Sequence, residues 1–313
     1  MNRMVTQEIV GLSEPREGEG KRALITGLRG FTGYYMAREL TAAGYQVHGT
    51  VLPGEPTGPD IFAVDLLDRA SVAAAVEKVQ PDVVVHLAAI AFVAHNDADQ
   101  MYRVNVVGTR NLLEALAAGS HKPSSVLLAS SANIYGNARV PVIDESVAPN
   151  PANDYAVSKL AMEYMARLWM DKLPIVIARP FNYTGVGQTE NFLLPKIVSH
   201  FRKEARRIEL GNLAIARDFS DVRMVAKSYR RLLAAAPSGE AFNVCSGQPH
   251  TLESLIDMMS EIAGYRIEVH VNPAFVRANE VLTLTGSNAK LTGVIGKIEP
   301  TPLLETLRWM YTA

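Results

Sequence analysis

Short apolar runs that alternate with longer helical stretches are the feature that most restricts the fold of this chain. Several of the runs are apolar almost throughout, as in DVVVHLAA. A strand of that kind is typical of a parallel sheet that is covered by helices on both faces. The pattern therefore predicts an α/β fold, a Rossmann-type doubly wound parallel sheet with right-handed crossovers. The predicted strands are RALIT, YQVHGTV, IFAVDL, DVVVHLAA, SSVLLASS, LPIVIARP and AFNVCSG.

The length of 313 residues suggests about two domains. We expect residues 21–180 plus about 216–250 to form a dinucleotide-binding domain. Residues 181–215 plus 251–313 are expected to form a smaller C-terminal substrate-binding lobe over the carboxyl edge of the sheet, where ligands bind in such folds. Residues 1–20 are predicted to be a flexible tail.

Composition excludes several classes of protein. Hydrophobic residues make up 48%, so the chain is not wholly disordered. There are 31 Lys plus Arg against 32 Asp plus Glu, a net charge of −1, which argues against nucleic acid as a partner. A single cysteine, Cys245, allows no intramolecular disulfide and no cysteine-built zinc site. With no apolar run of membrane length and no secretory signal, we expect a cytoplasmic protein without a metal.

Three glycines lie where a dinucleotide diphosphate would bind. Gly27, Gly30 and Gly33 form GLRGFTG, directly after RALIT and at the start of a predicted helix. Glycines serve three needs of such a site: the turn is tight, the backbone approaches the diphosphate closely, and the helix packs closely on the strand. Free N–H groups at the helix start then favour the anion. The segment therefore predicts a site for NAD or NADP.

The end of the second predicted strand bears on the choice of cofactor. It reads His48-Gly49-Thr50, without the acidic residue that would bind an adenosine 2′-hydroxyl and repel a 2′-phosphate. NADP(H) is therefore favoured and NAD(H) is possible. Because the next basic residue is Arg69, a 2′-phosphate would depend on Arg29 or Arg38 from the neighbouring turn and helix.

Tyr155, Lys159 and Ser131 form the predicted catalytic centre. Tyr155 and Lys159 are four residues apart and so share one face of a helix. We expect the nearby ammonium and an oxidised nicotinamide to lower the pKa of the Tyr155 phenol. Ser131 follows a predicted parallel strand, where its hydroxyl could hold the substrate oxygen, and Ser130 is an alternative for that role.

The spacing GxxGxxG, together with the Ser, Tyr and Lys, resembles the extended branch of the short-chain dehydrogenase/reductase superfamily. That resemblance favours Ser131 over Ser130, because it stands four residues before Tyr135-Gly136. It also implies that Asp65-Leu66 contacts the adenine. The cofactor contacts that it implies are Gly27, Arg29, Gly30, Phe31, Thr32, Gly33, Asp65, Leu66, Leu87, Ala88, Ala89, Asn105, Tyr155 and Lys159.

Three later segments narrow the resemblance. ARPFNYTGVGQ, RDFSDV and FNVCSGQ are similar to nucleotide-sugar enzymes that use GDP-sugars, above all to the reductases that turn GDP-4-keto-6-deoxy-D-mannose into GDP-D-rhamnose. This implies reduction of a 4-keto group by NAD(P)H. The implied substrate contacts are Ser131, Asn133, Asn182, Lys196, Arg217, Arg277 and Glu280.

Three other functions stay open. Dehydratases of this family carry a Glu after the catalytic hydroxyl residue, where this chain has Ala132-Asn133. Because an amide is not a proton-transfer base, dehydration is disfavoured. An NAD-dependent sugar-nucleotide epimerase would use the same three catalytic residues without net consumption of cofactor. A non-catalytic, cofactor-sensing module is a further alternative.

Two helices predict the assembly. Residues 100–118 and 155–170 are expected to be helical, and the second helix carries Val157, Leu160, Tyr164 and Leu168 opposite Tyr155. An apolar face on that side must be covered. We therefore expect a homodimer through these two helices, with covering by the C-terminal lobe as the alternative.

Overall fold

The computed structural model describes residues 16–91, 97–275 and 283–313. Its strands are β1 (Arg22–Thr26), β2 (Gln46–Val51), β3 (Ile61–Ala63), β4 (Val83–His86), β5 (Ser125–Ala129), β6 (Ile175–Pro180), β7 (Asn182–Thr184), β8 (Arg207–Leu210), β9 (Ala216–Asp221), β10 (Ala241–Val244), β11 (Pro249–Thr251), β12 (Glu268–Val271) and β13 (Thr283–Leu284). Its α-helices are α1 (Phe31–Ala42), α2 (Arg69–Val79), α3 (Ala98–Tyr102), α4 (Thr109–Ala118), α5 (Asp154–Arg167), α6 (Leu193–Arg202), α7 (Val222–Ala235), α8 (Leu252–Ala263), α9 (Ala289–Ile295) and α10 (Leu303–Thr312).

The large sheet has seven strands in the order β10-β6-β5-β4-β1-β2-β3. Every neighbouring pair in it is parallel. The strand order reverses between β1 and β4, which is the point where doubly wound sheets bind their ligands. The predicted Rossmann-type fold is confirmed, including the late return of AFNVCSG to the sheet as β10.

Both faces of this sheet are buried, which explains its apolar strands. Along β4, Val83 and Val85 pack into the cluster that contains residues of α1 and α7. Val84 points to the opposite face and packs with residues of α2, α4 and α5. Because side chains alternate along a strand, a strand covered on both faces must be apolar at every position.

A separate hydrophobic cluster is built largely from the C-terminal part of the chain. It joins residues of α6, α8 and α10 with residues of β8 and β9. A second sheet, β11-β9-β13, also pairs β7 with β9. β9 lies outside the large sheet, and its hydrogen-bonding partners are β7, β11 and β13. The two-domain division and the substrate-binding role of the second cluster stay predictions.

The helix predicted over residues 100–118 is interrupted. A π-helical segment, Arg103–Gly108, joins α3 to α4. The Thr109 hydroxyl donates to the Asn105 carbonyl oxygen at 2.7 Å. A Cβ on Gly108 would lie 2.9 Å from the Cβ of Leu66, so the helix passes very close to the segment after β3. The first of these contacts is made by a polar side chain, and the second by a segment far away in sequence. The spacing of apolar residues along the chain indicates neither of them.

Part of the predicted tail belongs to the folded chain. The Gly18 N–H donates to the Ala43 carbonyl oxygen at 3.0 Å, and Glu17 pairs with Arg230 at 2.5 Å. The expected flexible tail is therefore wrong for residues 16–20, while residues 1–15 lie outside the described part. Across the described ranges, no helix has both the length and the apolar character needed to cross a membrane.

Candidate active site

The glycine turn connects the end of β1 to α1, and Gly33 lies where a side chain would collide with the backbone. Gly27 has φ +73°, a left-handed conformation that favours glycine. A Cβ on Gly33 would lie 2.3 Å from the carbonyl oxygen of Gly27 and 2.6 Å from that of Leu28. The start of α1 therefore packs closely against the turn, and the first N–H groups of a helix have no partner within it. This cradle fits a dinucleotide diphosphate.

The end of β2 lies against this turn. The Leu28 N–H donates to the Thr50 carbonyl oxygen at 3.0 Å. His48 is buried, and its Nδ1 lies 3.0 Å from Oδ1 of Asp60, a half-exposed carboxylate that enters from the loop before β3. Arg29 is exposed on the glycine turn, whereas the Arg38 guanidinium lies 5.7 Å from the ring centre of Tyr34.

The segments after β3 and β4 are fixed by backbone hydrogen bonds. The exposed Asp65 carboxylate accepts from the Leu67 N–H at 2.9 Å. At the end of β4, the N–H groups of Leu87 and Ala88 donate to the Thr26 hydroxyl at 3.1 and 3.2 Å. Ala89 follows in the same partly buried segment. These residues therefore line the sheet edge that the glycine turn occupies.

Leu66 and Asn105 hold neighbouring segments together. The Leu66 carbonyl oxygen accepts from the Asn111 side chain at 2.9 Å. Asn105 is buried, exchanges hydrogen bonds with the backbone of Ile90, and donates to the Ser158 hydroxyl at 3.0 Å. Its side chain thus ties the segment after β4 to α5, which carries the predicted catalytic pair.

Tyr155, Ser131 and Lys159 meet at the carboxyl end of β5. The Ser131 side chain lies close enough to the Tyr155 hydroxyl to act on its pKa. The Lys159 ammonium donates to the carbonyl oxygen of Ala129, the last residue of β5, at 2.8 Å. All three side chains are buried. Ser130 is buried as well, and its N–H donates to the Ala178 carbonyl oxygen, so Ser131 is the serine that contacts Tyr155.

The electrostatics of this cluster differ from the expectation at one point. Burial raises the pKa of Tyr155, and the neighbouring Ser131 hydroxyl only partly opposes that effect. Lys159 therefore does not lower the pKa of the phenol as expected, and the contribution of an oxidised nicotinamide stays a prediction. Burial also lowers the pKa of Lys159 to about 8, against an opposing effect of the Glu163 carboxylate. The phenol is thus held protonated and is suited to donating a proton.

A buried polar network lies behind the catalytic helix. Arg179 on β6 forms a bidentate ion pair with Glu163 on α5, at 2.6 and 3.0 Å. It also donates to the Tyr135 hydroxyl, which in turn donates to the Asn243 side chain, each at 2.8 Å. Glu163 was missed from the sequence, although it lies one helical turn after Lys159 and that spacing could have suggested it.

The predicted substrate residues fall into separate places. Asn133 is exposed two residues after Ser131, and its N–H donates to the Ser131 hydroxyl at 3.1 Å. Asn182 is exposed at the start of β7, and its amide donates to the backbone of β9 at 3.3 Å. Arg217 is half-buried on β9. Lys196 instead donates to the Glu209 carbonyl oxygen at 3.1 Å.

Two of these residues, Arg277 and Glu280, lie outside the described residues.

Asp218, which the sequence indicated only as part of RDFSDV, organises the region around β9. Asp218 is fully buried and accepts from Ser246 and Gly247 N–H groups at 2.9 and 2.8 Å, and from that of Gly286 at 3.3 Å. Desolvation raises the pKa of this carboxyl group.

Comparison with known proteins gives relatives along most of the chain. GDP-6-deoxy-D-talose 4-dehydrogenase from Aggregatibacter actinomycetemcomitans is 36% identical over 278 residues, which cover 88% of this chain and 91% of the relative. GDP-6-deoxy-D-mannose reductase from Pseudomonas aeruginosa is 33% identical over 300 residues, with 92% and 95% covered.

Two solved structures are similar in both fold and sequence. A proposed epimerase from Burkholderia cenocepacia J2315 is 57% identical with a TM-score of 0.90, over 94% of this chain and 98% of that one. RMD from Pseudomonas aeruginosa, complexed with NADPH, is 32% identical with a TM-score of 0.82, over 93% and 98%. The family model for GDP-mannose 4,6 dehydratase matches residues 24–308. This chain belongs to the GDP-mannose 4,6-dehydratase family, in the extended branch of the short-chain dehydrogenases/reductases.

Proposed function

We propose that this protein is an NADP-dependent reductase that converts GDP-4-keto-6-deoxy-D-mannose to GDP-D-rhamnose. The observation that carries the proposal is the buried pair of Tyr155 and Ser131 hydroxyls beside Lys159. The pair lies at the sheet edge that also holds the glycine turn. A carbonyl oxygen placed there would accept hydrogen bonds from both hydroxyls, which is the arrangement that stabilises developing negative charge.

The names of the two curated relatives support a ketone at C4. One relative is named for 6-deoxy-D-talose and the other for 6-deoxy-D-mannose, each bound to GDP. Talose and mannose differ in configuration at C4 alone, so oxidation at C4 converts both sugars to the same ketone. The shared 4-keto sugar is therefore the substrate that we propose for this chain.

The chemistry that we propose divides among three side chains. A reduced nicotinamide, when bound, supplies the hydride that reduces C4. Tyr155 donates its proton to the oxygen on C4, and burial keeps that proton in place beforehand by raising the pKa of the phenol. Lys159 stabilises the phenolate that remains, and Ser131 holds the oxygen in position.

Asn133 supports reduction over dehydration. Its exposed side chain is an amide two residues after Ser131, where water elimination would need a group that exchanges protons. An epimerase is the second candidate, favoured by the proposed epimerase that is 57% identical. The two functions differ in stoichiometry, because an epimerase leaves the amount of oxidised and reduced cofactor unchanged.

NADPH is the reductant that we propose. RMD from Pseudomonas aeruginosa was solved with NADPH. In this chain Arg29 is exposed on the glycine turn, next to a β2 end that itself carries no acidic residue. We propose that Arg29 binds the 2′-phosphate, rather than Arg38, which is engaged with Tyr34.

The nucleotide sugar is proposed to lie across β7 and β9. The donors that we assign to it are Asn133, Asn182 and Arg217, since each is at least partly exposed near β5, β7 or β9. Lys196, Arg277 and Glu280 stay proposed contacts of the diphosphate and the base.

The test is an assay with purified protein, NADPH or NADH, and 4-keto-6-deoxy sugars linked to GDP, UDP, dTDP or CDP. We expect the absorbance of NADPH at its reduced-nicotinamide band to fall with the GDP-sugar, in one-to-one amount with product. Tyr155→Phe should abolish this reaction and still bind NADPH. Full activity of that variant, or product without loss of NADPH, would overturn the assignment.

The configuration at C4 has a second candidate. The greater identity to the talose enzyme, 36% against 33%, favours GDP-6-deoxy-D-talose as the alternative product. Nuclear magnetic resonance of the product distinguishes the two sugars, because H4 is axial in one and equatorial in the other and couples differently to H5. The talose product would correct the configuration and leave 4-keto reduction in place.

We also propose a homodimer through α4 and α5. Val157 and Tyr164 on α5 are 38% and 54% exposed, Leu168 directly after that helix is 78% exposed, and Val107 before α4 is 44% exposed. Leu160 is the exception, because it packs inside the chain. Light scattering should give a dimer that Leu168→Glu disrupts, whereas Val294→Glu, at a 41% exposed site on α9, leaves it intact. A monomeric unaltered protein would contradict the dimer.

A further inference from the structure

Tyr183 on β7 reaches across to the glycine turn. Its hydroxyl lies 2.8 Å from the hydroxyl of Thr32, 151 residues earlier in the chain. Its ring is stacked on Phe31, with centroids 6.0 Å apart and planes at 12°. Phe31 and Thr32 are the first two residues of α1. The tyrosine ring is therefore fixed against the helix end that the fold offers to a diphosphate.

A second tyrosine holds the next part of the same segment. The Tyr35 hydroxyl donates to the Val186 carbonyl oxygen at 2.6 Å. Tyr183 itself is anchored by the pairing of β7 with β9. Asn182, which we assign to the sugar, precedes it directly. Two hydroxyl contacts thus join the start of α1 to β7 and to the segment after it, and β7 begins with a proposed substrate residue.

We propose that Tyr183 is a positioning residue for the dinucleotide diphosphate and acts through the hydroxyl of Thr32. This inference rests on the proposed use of a dinucleotide and adds a residue from outside the glycine turn to its site.

The donors and acceptors available determine which hydroxyl donates to which. Thr32 has the only side-chain hydroxyl in GLRGFTG. A phosphate oxygen accepts hydrogen bonds and does not donate them, so Thr32 must use its single proton for the phosphate. It can then only accept from Tyr183, whose own proton completes the pair. Burial raises the pKa of Tyr183, which keeps that proton in place.

The test is a double-mutant cycle on the dissociation constant of NADPH, measured by fluorescence without any sugar. Tyr183→Phe and Thr32→Val each remove one hydroxyl and keep the shape of the side chain. We expect each to weaken binding about three- to tenfold, the effect of one lost hydrogen bond. The double variant should bind no more weakly than Thr32→Val, because Tyr183 acts through Thr32.

Tyr229→Phe is the matched control. Its hydroxyl is fully buried and has no hydrogen-bond partner among the described residues. Burial raises the pKa of this hydroxyl, and the nearby Tyr183 and Tyr155 raise it further. We expect NADPH to bind this variant as it binds the unaltered protein. Thermal unfolding without NADPH should give similar midpoints for all the variants, so that loss of binding reports the site rather than the fold.

Three results would overturn the inference: unchanged binding by Tyr183→Phe, effects of the two single changes that multiply in the double variant, or an unaltered protein that binds no dinucleotide. Binding of NADPH without reduction of any 4-keto sugar has a different meaning. It would contradict the proposed function and leave the cycle to decide on Tyr183.

Discussion

Replacing Glu163 by Gln removes one partner of an ion pair that the fold buries almost completely. The Glu163 side chain is 1% exposed and that of Arg179 is 6% exposed, and two short contacts join them. The Arg179 guanidinium, whose pKa this pairing raises, would stay charged with its main partner gone. Loss of one member of a buried pair costs about 3–5 kcal/mol in the free energy of unfolding.

Urea unfolding of the purified variant measures this loss. Glu114→Gln is the matched control, because Glu114 also pairs with an arginine, Arg110 at 3.0 Å, but is 40% exposed. Solvent screening reduces the expected effect there to about 0–1 kcal/mol. Replacing both Glu163 and Arg179 by Met should recover part of the loss, since no buried charge is then unpaired. Equal effects of Glu163→Gln and Glu114→Gln would refute this reasoning.

Two further predictions concern the active site. The rate of reduction should fall as pH rises through about 8, because burial lowers the pKa of Lys159 to about 8 and the ammonium is the form that stabilises the phenolate, while the raised pKa of Tyr155 keeps its proton. A rate that stays constant well above that pH would contradict this role. Gly33→Ala should abolish NADPH binding, because its Cβ would lie 2.3 Å from a backbone oxygen, whereas Gly58→Ala, with open space around it, should bind normally in the same titration. Normal binding by Gly33→Ala would show that the turn can open.

The parts of the fold that local pattern determines could be predicted. The apolar runs located the strands of the large sheet, and the glycine spacing located the turn before α1. The meeting of Ser131 with Tyr155 also followed, because a residue after β5 and one at the start of α5 share the carboxyl edge of a parallel sheet.

Other features depend on partners that lie far away in sequence. The contact of Tyr183 with Thr32 spans 151 residues, and neither residue carries a local signal of it. The position of β9 depends on pairing with β7, which precedes it in the sequence, and with β11 and β13, which follow it. Asp218 is part of a short motif in the sequence. Its hydrogen bonds with the N–H groups of Gly247 and Gly286 form only when distant loops come together in the fold.

The pKa of Tyr155 illustrates a third kind of limit. A lysine four residues later suggested a lowered value, because two charges on one helix face interact. Burial is the larger effect and has the opposite sign. Several elements together bury the Tyr155 phenol, and the spacing of residues along one helix does not indicate how deeply it is buried.

The most direct test of the central claim follows a hydrogen atom. The protein is incubated with GDP-4-keto-6-deoxy-D-mannose and NADPH that carries deuterium at both C4 positions of the nicotinamide, and the sugar product is examined by mass spectrometry and nuclear magnetic resonance. Our account predicts one deuterium per product molecule, bound to C4 of the hexose, with an equal amount of NADP formed. A product without deuterium, or deuterium at another carbon, would contradict reduction at C4.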